Sequence, residues 1–321
     1  MQSFTALSQL FEARFNTRHF PDHTPTLYDP AQYILGLGGK RIRPVCVLMG
    51  NELFETIQPD AYHVATAIEL FHNFSLIHDD IMDKAPLRRG MPTVHAKYGE
   101  ATAILAGDVM FAQAYDYLTK VKPEYVQKII LLFNQTSKEV CEGQQIDMDF
   151  EQQQTVAMEE YVRMITLKTS VLLAASLQLG AILGGAGEGN QRHLYEFGKH
   201  LGVAFQVQDD YLDAFGDPEK FGKQVGGDIL SNKKTFLMIH ALETANPAQL
   251  EELKALMNSN PPDKVERVLQ IFRDCKVDAW ASELKDKYLQ TALQHLEDIA
   301  VLNARKAPLR ELADYLIQRD Y

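Results

Sequence analysis

Residues 64–83 read VATAIELFHNFSLIHDDIMD, and residues 197–213 read FGKHLGVAFQVQDDYLD. In the first stretch Val64, Ile68 and Phe71 recur at helical spacing; in the second Phe197, Leu201, Ala204 and Phe205 do the same. Each run therefore predicts a helix with an apolar face, and each ends in Asp-Asp-x-x-Asp. The triplets Asp79, Asp80, Asp83 and Asp209, Asp210, Asp213 stand 130 positions apart. On a helix the first and last Asp of a triplet are i and i+4 neighbours, one turn apart on one face. Two like unit charges at about 4 Å cost roughly 4 kcal/mol at an effective dielectric of about 20. A cation between them removes that cost. An all-oxygen donor set with room for water suits Mg²⁺, which takes one or two carboxylates together with substrate phosphates. Acidic helix ends facing solvent are the bland alternative. The identical spacing of two copies, each beside basic residues, argues against it.

The rest of the chain is helical in pattern too. Ala101 to Lys120 is rich in Ala, Leu, Met and Phe, and Gly107 is its one breaker. Pro and Gly gather between such runs, at 21–30, 86–92, 184–189, 215–227 and 258–262. Alternating β-branched runs, a Gly-x-Gly-x-x-Gly after a strand, and a solenoid period are all absent from the sequence. The fold class expected is all-α: one domain over residues 1–321 with about ten or more helices. The part after about Pro247 is more charged and is expected to pack against the rest.

The 321 residues are 46% hydrophobic and 23% charged, enough for a sizeable core. A net charge of −11 and a pI near 5.4 exclude general nucleic-acid binding. Three separated cysteines, Cys46, Cys141 and Cys275, suggest reduced, buried thiols in a cytoplasmic protein. Residues 1–20 have no continuous apolar core of a signal peptide. The uncharged stretch from Thr169 to Gly187 is interrupted by Ser176, Gln178 and Gly180. It reads as a helix buried in a bundle, so no membrane span is expected.

Against the acidic background, local cations stand out. Gly38-Gly39-Lys40-Arg41-Ile42-Arg43-Pro44 sets three cations in four residues behind a glycine pair. It lacks the spacing and the Ser/Thr of a Walker loop, yet such a turn can hold a phosphate. Arg88-Arg89-Gly90 follows the first triplet, Lys168-Thr169 ends an apolar segment, and Lys223 and Lys233 follow the second triplet. Each is ordinary singly; jointly they describe a polyphosphate site.

These residues resemble the trans-prenyl diphosphate synthases. The matches are Gly-Gly-Lys-Arg-x-Arg-Pro at 38–44, Leu-Ile-His-Asp-Asp-Ile-Met-Asp at 76–83, Arg88-Arg89-Gly90, Gly107-Asp108, Gly143-Gln144-x-x-Asp147, Lys168-Thr169, Phe205-Gln206 before the second triplet, and Gly222-Lys223 through Asp228 to Lys233. They come in the family's order over roughly residues 35–235, and Ala313-Asp314-Tyr315 to Arg319 resembles the end of bacterial members. The resemblance implies a large isoprenoid-synthase helical bundle around a central active-site cavity, a homodimer, and condensation of isopentenyl diphosphate with an allylic diphosphate.

It also implies roles. Asp79, Asp83 and Asp209 hold Mg²⁺, three ions per site, with Asp80, Asp210 and Asp213 orienting the ligands or holding coordinated water. Arg88, Lys168, Lys223 and Lys233 neutralise the allylic diphosphate; Lys40, Arg43, His72 and Arg89 take isopentenyl diphosphate without a metal. His72 lies seven residues before Asp79, two turns away on the same stripe. Thr169 and Gln206 are the dipoles that steady the allylic cation, with Gln144 and Asp147 in support, and the departing diphosphate takes the final proton.

Product length in this family depends on the bulk just before the first triplet, here Phe74 and Ser75. One aromatic, a small Ser and no insertion in the triplet most resemble the enzymes that make geranylgeranyl diphosphate. Farnesyl diphosphate is the alternative product, and bacterial farnesyl-type members usually insert two residues in the first triplet. A class I terpene cyclase would need a second metal motif of Asn, Ser/Thr and Glu, which is missing here. A non-catalytic subunit of a hetero-oligomeric synthase would have lost its Asp triplets.

Overall fold

A computed structural model describes residues 1–216 and 226–318. Lys223 and Arg319 lie outside the described residues. The helices in chain order begin with α1 (Phe4–Phe15), α2 (Pro25–Leu35), α3 (Ile42–Glu52), α4 (Pro59–Met82), α5 (Val94–Tyr98) and α6 (Glu100–Leu118). α7 (Pro123–Gln152), α8 (Met158–Ile165), α9 (Val171–Leu183) and α10 (Glu188–Phe215) follow. The all-α expectation holds. Among the described residues the one sheet is a pair of two-residue strands, β1 (Leu87–Arg88) and β2 (Met91–Pro92).

Contacts group the chain into two compact units. The first comprises Met1–Gln135, Ala175–Tyr195 and Ile299–Pro308, the second Thr136–Ala174, Glu196–Asp298 and Leu309–Tyr321. In the first unit α4 packs against α3 and α6, α1 against α3, and α2 against α6. α4 is apolar on most of its circumference, burying Val64, Ala65, Ala67, Ile68, Leu70, Phe71 and Ile77, as a central helix must. It stops immediately after its acidic triplet. Lys84 turns left-handed (φ 52°), and the Ala85 amide reaches back to the Asp80 carbonyl at 2.9 Å. The carboxylates thus sit at a helix C-terminus, where the macrodipole disfavours negative charge by about 0.3–1 kcal/mol each. Stability did not place them there.

The short hairpin that follows was not legible in the sequence. Arg89 and Gly90 both take positive φ (53° and 76°), the conformation of a tight hairpin turn, and Leu87 pairs with Pro92. Pro30 is a second departure, since it lies inside α2 instead of between helices.

In the second unit, Tyr161, Met164 and Ile165 of α8 share a core with Val203 and Val207 of α10 and with Phe236 and Phe272 of later helices. Between α8 and α9, Thr166–Ser170 forms one π turn. Glycines on two neighbouring helices accommodate it. A Cβ on Gly143 of α7 would overlap the Lys168 backbone, and one on Gly202 of α10 would lie 2.7 Å from Ser170 Cα. Single π turns recur at functional sites, and this one carries Lys168 and Thr169. The run Met158–Leu183 is long and apolar enough to cross a membrane, and 72% of its most apolar window is buried within the protein.

Candidate active site

In the first unit the cations are sorted by burial. Arg41, left-handed at φ 50°, turns inward: it is 5% exposed, pairs with Glu69 and donates to the Leu35 carbonyl at 2.8 Å. It anchors the turn. Breaking such a buried pair costs about 3–5 kcal/mol. Lys40 is exposed beside it. Arg43 Nη1 donates to His72 Nε2 at 3.2 Å. An arginine can only donate, so Nε2 accepts and the neutral imidazole carries its proton on Nδ1. Burial, followed by Arg43, Arg89, Arg88 and Arg41, pushes the His72 pKa well below its usual value. Arg89 donates to the Gly38 carbonyl, and its guanidinium lies where a Cβ on Gly39 would be, 2.7 Å from Nη2. The glycine pair therefore makes room for Arg89. Arg43 meets His72 directly, the turn of Lys40 meets Arg89, and both arginines act on the imidazole.

The first acidic triplet divides in the same way. The Asp79 carbonyl accepts from the Asp83 amide at 2.8 Å, one helical turn on. Asp79 is partly buried and Asp83 exposed. Asp80 is 2% exposed and takes a two-pronged bond from Arg88, Nε to Oδ2 at 2.9 Å and Nη2 to Oδ1 at 2.7 Å. The hairpin thereby sets Arg88 beside the triplet, with Nη2 3.9 Å from Asp79 Oδ2.

One turn earlier on α4, Phe74 stacks on Phe111 of α6, with centroids 5.0 Å apart and planes at 18°. Phe71 and His78 flank it at 5.6 and 4.8 Å. The Ser75 hydroxyl folds back onto the His72 carbonyl at 2.8 Å.

In the second unit, Lys168 Nζ meets Asp147 Oδ2 at 2.6 Å, and Thr169 Oγ1 donates to Gln206 Oε1 at 3.3 Å. Gln206 Nε2 donates to Asp210 Oδ1 at 2.9 Å, and the buried Tyr161 hydroxyl donates to Asp210 Oδ2 at 2.5 Å. Burial and the facing Asp228 push the Asp210 carboxyl up to about 8, against the bonds from Tyr161 and Gln206 that hold it down. Asp209 is partly buried, while Asp213 Oδ2 accepts from the Asp228 amide at 3.0 Å. Lys233 is more than half exposed, 3.5 Å from Asp228 Oδ1. Gln144 Nε2 is buried with no hydrogen-bond partner among the described residues. Asp210, Asp213, Asp228 and Lys233 line one small cleft.

Two participants were not singled out from the sequence. Tyr161 lies 49 positions before its carboxylate partner, and nothing local marks it. Asp228 appeared only as a point on a matching segment; its role as the charge facing Asp210 needs the fold.

The sequence model of the polyprenyl synthetase family matches residues 24–275. A short chain isoprenyl diphosphate synthase of Methanothermobacter thermautotrophicus is 39% identical over 302 residues, 94% of this chain and 93% of that one. A geranylgeranyl pyrophosphate synthase of Geoglobus acetivorans is 40% identical over 297 residues, covering 92% and 91% of the two chains. A crystal structure of a geranylgeranyl pyrophosphate synthase superposes with a TM-score of 0.95 at 41% identity, over 99% of both chains.

Proposed function

The chain belongs to the polyprenyl synthetase family, and on that premise we propose that it is a geranylgeranyl diphosphate synthase, condensing isopentenyl diphosphate head-to-tail with an allylic diphosphate. The observation that carries the reading is the pairing of two intact Asp triplets with a second group of cations around a neutral His72. A cyclase has no use for that second group, and a non-catalytic subunit has no use for the triplets.

The donor set fits Mg²⁺: Asp79 and Asp83 one turn apart, and Asp209 in the second copy, offer only oxygen. These three residues would hold the ions, three in all. Magnesium would supply charge stabilisation to the departing diphosphate. Arg88, Lys168 and Lys233 neutralise the same diphosphate, as does Lys223. Lys40, Arg43 and Arg89 bind isopentenyl diphosphate as cations, and His72 contributes its Nδ1 proton as a neutral donor. Thr169 Oγ1 and Gln206 Oε1 present negative dipole ends to the allylic cation and offer no strong nucleophile. Asp147 holds Lys168 in place. After attack by the isopentenyl double bond, the released diphosphate takes the proton.

Residues 1–321 act as one domain in this reading, because α7, α9 and α10 each run through both units. Exposed Ile104 and Leu105 on α6 and Leu131 on α7 support a homodimer. Of the three free cysteines Cys46 is buried as expected, whereas Cys275 is half-buried and Cys141 exposed; free thiols accord with a cytoplasmic setting. The Phe74–Phe111 stack favours farnesyl diphosphate as the second reading, since a braced ring closes a tunnel sooner than a lone one.

The test is incubation of the purified enzyme with Mg²⁺, labelled isopentenyl diphosphate and each allylic starter, with chromatography of the dephosphorylated products. C20 alcohol is expected, and chelation of the metal should abolish it. Asp79→Ala and Asp209→Ala should each lower turnover by orders of magnitude with helical content retained. Near-normal turnover in either folded variant, or a cyclised hydrocarbon product, would refute the assignment.

A further inference from the structure

We propose that Tyr161 is a positioning residue for prenyl transfer, acting through Asp210 and Gln206 on the dipoles that face the allylic cation. This rests on the function proposed above and adds a residue that the Asp triplets and the Lys-Thr pair do not include.

Four side chains form one directed series. Tyr161 Oη donates to Asp210 Oδ2 at 2.5 Å, Gln206 Nε2 donates to Asp210 Oδ1 at 2.9 Å, and Thr169 Oγ1 donates to Gln206 Oε1 at 3.3 Å. The direction matters. A Gln amide has two chemically opposite ends of nearly equal size, and only its partners decide which end points where. With Nε2 engaged by the carboxylate, Oε1 faces Thr169. The hydroxyl proton of Thr169 is in turn spent on Oε1, which leaves its oxygen lone pairs outward. Both oxygens that can steady a cation are thus oriented by one carboxylate.

That carboxylate is itself oriented by Tyr161. Asp210 is 5% exposed, so water does not fix its plane. Tyr161 is 5% exposed and shares a core with Met164, Ile165, Val203, Val207 and Phe236, and its hydroxyl donates to Asp210. A tyrosine needed only for packing would do as well as phenylalanine. Here a hydroxyl is buried at the root of the series, and a buried polar group without a task is costly.

Tyr161→Phe removes one oxygen and keeps the ring. The carboxylate can then rotate, and the Gln206 amide samples the reversed orientation, with Nε2–H toward the cation. Losing one hydrogen bond to this buried carboxyl predicts a kcat lower by a few-fold, up to about tenfold. The KM for isopentenyl diphosphate, bound by Lys40, Arg43, His72 and Arg89, should not move. An allylic cation with fewer oriented dipoles around it is more reactive and less selective, so a larger share is captured by water instead of the isopentenyl double bond. The water oxygen bonds to the cation carbon and loses a proton, giving the allylic alcohol and free diphosphate.

The experiment measures, per allylic diphosphate consumed, the ratio of allylic alcohol to elongated product, for wild type, Tyr161→Phe, Gln206→Ala and the double variant. This ratio does not depend on how much of the enzyme is folded. Tyr161→Phe should raise it severalfold and lower kcat, while in the Gln206→Ala background, with no amide to orient, the Tyr161 change should add nothing. An unchanged ratio in Tyr161→Phe overturns the proposal even if activity falls, because a structural tyrosine reduces the active fraction without redirecting the cation. Independent effects in the double variant overturn it as well. Absence of any elongated product from the wild-type enzyme would instead refute the parent function.

Discussion

Replacing Arg43 by Ala tests the proposed isopentenyl diphosphate site in two ways at once. The side chain is a cation in a cluster with His72 and donates to its Nε2 at 3.2 Å. A charge-assisted contact to phosphate is worth about 1.5–3 kcal/mol. At about 1.4 kcal/mol per factor of ten, the KM for isopentenyl diphosphate should rise roughly ten- to hundredfold. The KM for the allylic starter should stay put. The second consequence concerns pH. Burial is the first cause of the depressed His72 pKa and Arg43 is the largest charge contribution. Without Arg43 the imidazole pKa moves back toward its ordinary value of about 6.5. Lowering the pH from about 7.5 to 6 then protonates a fraction of His72 in the variant, returning a cation to the site. In the wild type His72 remains neutral over that range. The ratio of variant to wild-type KM should therefore shrink with acidification; titration of the substrate cancels in the ratio. Steady-state assays with labelled isopentenyl diphosphate at saturating starter decide it. A KM change confined to the allylic substrate would show that the two diphosphate sites are assigned backwards, and a pH-independent ratio would remove His72 from the cluster.

Two further outcomes follow from the packing. Phe74→Ala removes the ring stacked on Phe111, so products should lengthen beyond those of the wild type; the stability cost should fall below the roughly 3–5 kcal/mol of a fully buried Phe→Ala, since Phe74 is only partly buried. An unaltered product distribution in a stable variant would make Phe74 ordinary core. His19 is buried, with Nε2 donating to the Phe15 carbonyl at 2.7 Å and Nδ1 accepting from Tyr117 at 2.8 Å, and burial lowers its pKa. Its stabilising contribution is complete above the unfolded value of about 6.5 and is lost as pH falls below it, because the unfolded chain then binds a proton that the native state excludes. Thermal melts from about pH 8 down to about pH 5.5 should show a falling midpoint, less steep in His19→Gln; equal slopes would rule His19 out as the cause.

What the sequence could reveal follows from the range of each interaction. The spacing of Val64, Ile68 and Phe71 is local, and so is the i, i+4 relation of Asp79 and Asp83; both were readable. Arg41 was read as one of three equivalent cations, yet it is withdrawn into the core by Glu69, 28 positions away. The π turn at Thr166–Ser170 depends on the missing side chains of Gly143 and Gly202, on two other helices. No window around Lys168 contains either. The hairpin is local, but its signal is an Arg-Gly pair in place of the Asn-Gly or Asp-Gly that usually marks such turns.

The two Asp triplets are identical in letters and differ in what they hold. Successive residues on a helix are rotated by about 100°, so when the first and last Asp share a face the middle one must turn toward a neighbouring element. Asp80 and Asp210 are accordingly the buried members, at 2% and 5% exposure. Asp80 meets that burial with a full positive charge, the two-pronged guanidinium of Arg88, and so ties the hairpin to the end of α4. Asp210 meets it with two neutral donors, Tyr161 and Gln206; burial first and Asp228 second push its carboxyl up to about 8, against the two bonds that hold it down. The middle position of each triplet thus serves as a strut. On the proposed function, it would carry a cation toward the diphosphate in the first copy and aim a pair of neutral oxygens at the allylic cation in the second. A cation beside the forming carbocation would oppose ionisation, whereas beside the departing diphosphate it assists; the same three letters are compatible with both tasks because the partner of the middle Asp, supplied from elsewhere in the fold, differs in charge.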